Sequence, residues 1–254
     1  MEETNLAQWV YALLHREVDE LVVCNPGYLG KKLGPKNDLA DATPLANELR
    51  CGHVVPVFHE QSGMMELRTL VSAYADVNRL IVMAKNRYKA LFRSEALPTA
   101  GKAIYKAPER VAELSSSSSR FVAENILSEL TRLEETKGKY LVLFKANMKK
   151  YSVLRRLDSI PGIDCVRAHI IAATICSADR FRNKHKLCAY AMLVKYAQDS
   201  DGKSYGLKTV HGRRDLKGVY MGIAETVLRG DSSLRKYYDQ LRSKELSHKE
   251  AKKP

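Results

Sequence analysis

The chain has 254 residues, with 42 Lys and Arg against 29 Asp and Glu, giving a formal net charge of +13 and a pI of about 9.5. That length buries a sizeable core in one large domain or two small ones, and no apolar run approaches the roughly 20 residues that cross a bilayer, which excludes a membrane span. The charge excess predicts a polyanionic partner, because each neutralised phosphate releases counterions.

In chain order, "LAQWVYALLHREV" carries apolar residues at helical spacing, with Trp9 expected in the core. "ELVVCNP" is a short β-rich run ended by Asn-Pro-Gly, and "DATPLANELR" starts a second helix with Pro44 in its first turn. The acidic start "MEETNLAQWVYALL" is unlike a basic signal peptide, which predicts a cytoplasmic protein. One clear strand has no sheet of its own to join, so residues 1–60 read as part of an α/β domain shortened at its N-terminus. Five scattered cysteines with no CxxC pair predict reduced, packed thiols.

Residues 64–93 form a long amphipathic pattern, with Leu67, Leu70, Val71, Tyr74, Val77, Leu80 and Ile81 on one face. A breaker-rich stretch follows through Pro98, Gly101, Pro108 and the serines at 115–119, and it predicts a domain boundary near 98–120. A second long helix runs to about Leu157, like a coiled coil interrupted at Lys137 and Gly138. The two helices can pair with each other or with a second subunit. Pro161 and Gly162 then turn the chain into "CVRAHIIAATI", like half of a helix-hairpin-helix whose amides hold a phosphate, though Asp164 stands where a second glycine is usual. His169 in that run reads as a core residue.

Two features carry chemistry. Asp38 and Asp41 stand three apart at the start of a helix, on neighbouring surface positions that can share a divalent cation, with Glu2, Glu3 and Glu48 to complete a site. Capping and the helix dipole favour first-turn aspartates by themselves, and for these two residues taken alone that is the stronger reading. The second feature is "YAQDSDGKSYGLKTVHGRRDLKG", a Gly- and Ser-rich segment whose Lys203, Lys208, Arg213, Arg214 and Lys217 suit phosphate contact and whose serines become nucleophiles beside a base or metal. A solvated basic loop is the plain alternative.

Five blocks occur here in the order found in transposases of the insertion-sequence-110 family. They are "CNPGYLGKKLGPKNDLADATPLANELRCG", "LRTLVSAYADVNRLIVMAKNRYKALF", "LDSIPGIDCVRAHIIAATICSADRF", "HGRRDLKGV" and "LRKYYDQLRSK". The resemblance implies a RuvC-like, ribonuclease-H-type α/β domain over 1–60, long coiled-coil helices over 61–157, and a mainly helical transposase domain over 158–254.

By the same resemblance, Asp38 and Asp41 in "KNDLADA" match the last two acids of a DEDD quartet. Glu2 matches its Glu, with Glu3 next, and these acids would bind Mg2+ or Mn2+. The first Asp of the quartet has no counterpart, which implies an N-terminally shortened, impaired copy.

Ser200 best matches the family's serine nucleophile, with Ser204 the alternative, although Asp201 replaces the usual following glycine and Arg213 an asparagine. The implied partners are DNA, a guide RNA and a second copy through the coiled coil, in a bacterial or archaeal cytoplasm. A noncatalytic DNA- or RNA-binding remnant is the competing reading.

Overall fold

A computed structural model describes residues 1–4, 6–25, 37–59 and 63–251, with Asp41, Lys249 and Glu250 described as backbone only. The chain divides into two compact units, Met1–Met65 and Glu66–Pro254. It is mostly helical, with one two-stranded sheet among the described residues.

In the first unit, the run "ELVVC" forms isolated bridges rather than a full strand. Cys24 pairs in parallel with Glu2 and antiparallel with Pro56, and Val57 donates to the Val23 carbonyl at 2.6 Å. The Asn-Pro-Gly ending expected for that run lies, from Pro26 onward, outside the described residues.

Helix α1 (Ala7–Leu14) buries Ala7. It turns Gln8 and Tyr11 toward His59, which hydrogen-bonds Gln8 at 3.0 Å and meets the Tyr11 ring at 5.5 Å. At 100° per residue, Trp9 lies nearly opposite that face. It is therefore 62% exposed and not in the core as its size suggested.

Helix α2 (Asp38–Arg50) starts earlier than the proline implied, because the Asn37 side chain caps it by accepting from the Ala40 amide at 2.7 Å. Pro44 consequently sits inside the helix, not in its first turn, and withholds one N–H from the ladder.

The second unit is built on α3 (Gly63–Ser94) and α4 (Ser117–Lys150), which run antiparallel. Glu66 meets Lys150 at 2.8 Å, the Tyr74 and Phe144 rings lie 5.1 Å apart, and Lys85 meets Glu134 at 2.7 Å. Ile81, Ala84, Tyr88 and Phe92 of α3 pack with Ala123, Ile126, Leu130 and Leu133 of α4. The apolar faces that the helical period revealed thus close on each other within one chain.

Two expectations change here. Residues 98–120 are no boundary between units, because Ile104, Val111 and Leu114 from two short 3-10 turns are buried in the same core. The serines also belong to a helix: Ser116 caps α4, accepting from the Ser118 amide at 3.2 Å. Nor does α4 break at Gly138, which costs only about 1 kcal/mol relative to alanine in a long helix. The break falls at Tyr151, whose extended backbone (φ −111°, ψ 114°) leads into α5 (Ser152–Asp158) and whose hydroxyl donates to Glu66 at 2.9 Å.

Beyond α5 come α6 (Cys165–Ile175), α7 (Lys184–Tyr190), strands β1 (Lys195–Ser200) and β2 (Lys203–Thr209), α8 (Arg214–Val227), α9 (Ser233–Ser243) and a final turn, α10 (His248–Ala251). Helix α6 is the most buried of them. His169 on it is fully covered, stacks on Phe144 at 4.4 Å between ring centres, and shares a hydrogen bond between Nδ1 and the Cys165 carbonyl at 2.7 Å. Burial pushes its imidazole below the usual range, against that hydrogen bond. All five cysteines are free, with Cys24 buried but Cys51 exposed rather than packed.

Candidate nucleic-acid interface

The segment read as a basic loop is a β-ribbon. Strands β1 and β2 pair antiparallel around Asp201 and Gly202, whose φ values of 52° and 71° are those of a type I′ turn. The ribbon is exposed along both strands, with only Thr209 partly covered. It carries Tyr196, Tyr205 and Leu207 into solvent, at 46%, 65% and 66% exposure. An isolated hairpin of this kind stands on its turn chemistry rather than on a core.

Register decides which side chains act together. Tyr196 pairs with Lys208, Ala197 with Leu207, Asp199 with Ser204 and Ser200 with Lys203, with an irregularity between Ala197 and Asp199. That irregularity sets Tyr205 and Gly206 against Gln198, so β1 keeps a regular alternation. Tyr196 and Ser200 therefore share one face with their partners Lys208 and Lys203. Ser204 lies with Asp199 on the other face. The first face gathers a hydroxyl, two ammonium groups and an aromatic ring, which suits a phosphate backbone with an adjacent base. The second sets a carboxylate beside its serine, which repels phosphate.

The block "HGRRDLKG" anchors the ribbon's far end. A Cβ on Gly212 would stand 2.3 Å from the Tyr190 carbonyl oxygen, so no larger residue fits without moving backbone. The Arg213 amide donates to that same carbonyl at 2.6 Å. Its guanidinium forks onto Asp215 at 3.1 and 2.7 Å. Burial works to raise the Asp215 carboxyl, and the Arg213 fork with the Leu216 amide outweighs it, so the group sits below the usual carboxylate range. Arg213 is thus engaged with Asp215, while Lys203, Lys208, Arg214 and Lys217 have no ion-pair partner among the described residues.

Gly162 faces α8. A Cβ there would meet Val227 Cγ2 at 2.7 Å and the Ile223 oxygen at 3.1 Å, and φ is +84°. Asp164 caps α6 by accepting from the Arg167 amide at 2.8 Å, and Arg167 donates to the Gly162 carbonyl at 2.6 Å and to Thr226 at 2.9 Å. The turn and α6 thus pack on α8, and a carboxylate occupies the helix end where a phosphate would sit.

In the first unit, Asn37 does the capping, so the cap does not account for Asp38, the exposed first residue of α2. Glu3 is held by His59 at 3.3 Å, and Glu48 faces His53 at 3.6 Å. Glu2 and Asp38 have no ion-pair partner among the described residues. The side chain of Asp41 lies outside them. Among the described residues no group of three or more His, Cys, Asp or Glu side chains is gathered as a metal site. The carboxylates of Glu2, Asp38 and Asp41 are the hard oxygen donors that Mg2+ or Mn2+ prefers, so their chemistry fits such an ion.

Sequence reasoning missed the ribbon, although Asp-Gly between two runs of strand-forming residues was its signal. No helix among the described residues is long and apolar enough to cross a membrane. Residues 154–239, from α5 through most of α9, match the family model described as Transposase IS116/IS110/IS902 family. No curated protein matches the chain.

Proposed function

We propose that this chain, with its transposase-family C-terminal domain, is a DNA transposase or recombinase that takes a strand on Ser200 and passes it on. The observation that carries the reading is the ribbon face on which Ser200 stands with Lys203, Lys208 and Tyr196. The Ser200 oxygen attacks a backbone phosphorus, its proton passes to a base, and the bond from phosphorus to the leaving sugar oxygen breaks as that oxygen is protonated. The phosphodiester energy is kept in the serine ester, so a second sugar hydroxyl can reverse the step at another site.

Lys203 and Lys208 hold the phosphate oxygens, and Tyr196 offers a ring for a neighbouring base. Glu2, Asp38 and Asp41 are the proposed ligands of Mg2+ or Mn2+, which when bound stabilises charge on a phosphate oxygen. Glu2 is preferred to Glu3 because His59 already holds Glu3.

A guide RNA that pairs with donor and target DNA is the part of the proposal that the five sequence blocks support. Self-association is supported further by Leu80, Val82 and Met83 on α3 and by Val142 and Leu143 on α4, which remain exposed although the two helices pair. The test is strand cleavage by the chain supplied with guide RNA and Mg2+, comparing Asp38→Asn, Ser200→Ala and the unaltered protein. Cleavage lost in both variants, with salt-sensitive binding retained, supports the enzyme. Binding without cleavage by the unaltered chain supports a noncatalytic nucleic-acid binder instead.

A further inference from the structure

We propose that an apolar cavity at the root of the ribbon receives one unstacked base of the DNA strand that the ribbon holds. This deepens the nucleic-acid reading above and rests on it. The cavity, about 420 Å³, lies among the start of β1, α8 and α9, and is lined by Met221, Ala224, Leu234 and Tyr237 together with Lys195 and Lys217. Its size is that of small-molecule sites, which run to roughly 300–1,000 Å³.

The lining matches the chemistry of a base within a strand. A base presents flat apolar faces and polar edges, which methionine and tyrosine side chains accept by dispersion and stacking. The phosphates on either side of it are anions, and Lys195 and Lys217 put two cations at the same cavity. Tyr220 also lines it, and burial pushes its phenol up, so its hydroxyl stays neutral and able to hydrogen-bond a base edge. An apolar anchor from a protein partner would leave both lysines unneutralised. The cavity also adjoins the ribbon itself, because Lys195 is the first residue of β1, next in sequence to Tyr196 of the proposed interface.

The experiment is an abasic scan. The full chain is titrated with single-stranded oligodeoxynucleotides, each lacking one base at a successive position, beside an intact strand. One position should stand out, weakening binding by roughly tenfold or more, as loss of one stacked base does. Ala224→Trp, which fills the cavity from α8, should weaken binding of the intact strand by a similar factor and erase the dependence on that position. Leu234→Trp repeats the test from α9 at a residue that is 57% exposed, so its folding is less at risk.

Salt-sensitive binding that is uniform along the scan and unchanged in both tryptophan variants overturns the cavity assignment and leaves the nucleic-acid reading standing. Absence of any salt-sensitive binding overturns both. Self-association that both variants abolish, with a flat scan, would assign the cavity to a second copy of the chain and overturn the proposal.

Discussion

Ser200 stands directly opposite Lys203 across the Asp201-Gly202 turn, so the hydroxyl and an ammonium group flank the same tight bend on one ribbon face. The turn itself holds them together. Gly202 has φ +71° with open space around it, so conformation rather than crowding demands glycine. Gly202→Val should cost about 1–2 kcal/mol locally, because a β-branched residue resists positive φ. The ribbon lies outside the core, so hydrogen exchange should rise in residues 195–209 and DNA affinity should fall while the global melting temperature barely moves.

Lysines and the arginine of this region should separate by salt. Lys203→Gln with Lys208→Gln should lower the slope of log affinity against log salt by about 2 for duplex DNA, since each phosphate contact contributes roughly 0.9. Arg213→Gln should instead act on stability. It removes the fork onto Asp215, a half-exposed pair worth on the order of 0.5–1 kcal/mol, and should leave the slope nearly unchanged. Titrations at several salt concentrations, with thermal melts of the same variants, check both halves.

The long helices are legible in the sequence because their apolar residues recur at helical spacing, and the turn at Gly162 because proline and glycine end one period and begin another. The ribbon is legible only at its Asp-Gly turn, because both its strands face solvent and lack the apolar alternation that burial imposes. The packed corner at Ile104, Val111 and Leu114 is hidden for the opposite reason: its burial depends on Tyr88 and Phe92, distant in sequence. Of the candidate site, residue types are readable and grouping is not. Which serine shares a face with the lysines follows from a strand irregularity, and Arg213 is diverted from phosphate by a carboxylate two residues away.

Gly138 offers a stabilising substitution. It lies exposed within α4, and a Cβ there would meet nothing within 4 Å. Gly138→Ala should raise stability by about 0.5–1 kcal/mol through helix propensity and a less flexible unfolded chain, read as a higher denaturation midpoint at unchanged slope.

The buried His169 sets a pH dependence. Its folded-state pKa lies below the usual imidazole value of about 6.5, so the unfolded chain binds the extra proton first as pH falls. The contribution is complete above about pH 6.5 and is lost as pH drops through the folded value. Asp215, also depressed, adds a second loss at lower pH, below the ordinary carboxylate range near 4. His169→Leu should flatten the upper part of this acid limb in denaturation curves measured between pH 7 and the carboxylate range, leaving the lower part in place.

The most direct test of the central claim is to trap the covalent intermediate. The chain is incubated with guide RNA, Mg2+ and a labelled donor strand, quenched in denaturant, and digested to locate the nucleotide-bearing peptide by mass spectrometry. The account predicts an adduct on the peptide carrying Ser200, lost in Ser200→Ala and kept in Ser204→Ala. An adduct that persists in Ser200→Ala and disappears in Ser204→Ala would contradict it, placing the chemistry on the ribbon face that carries Asp199.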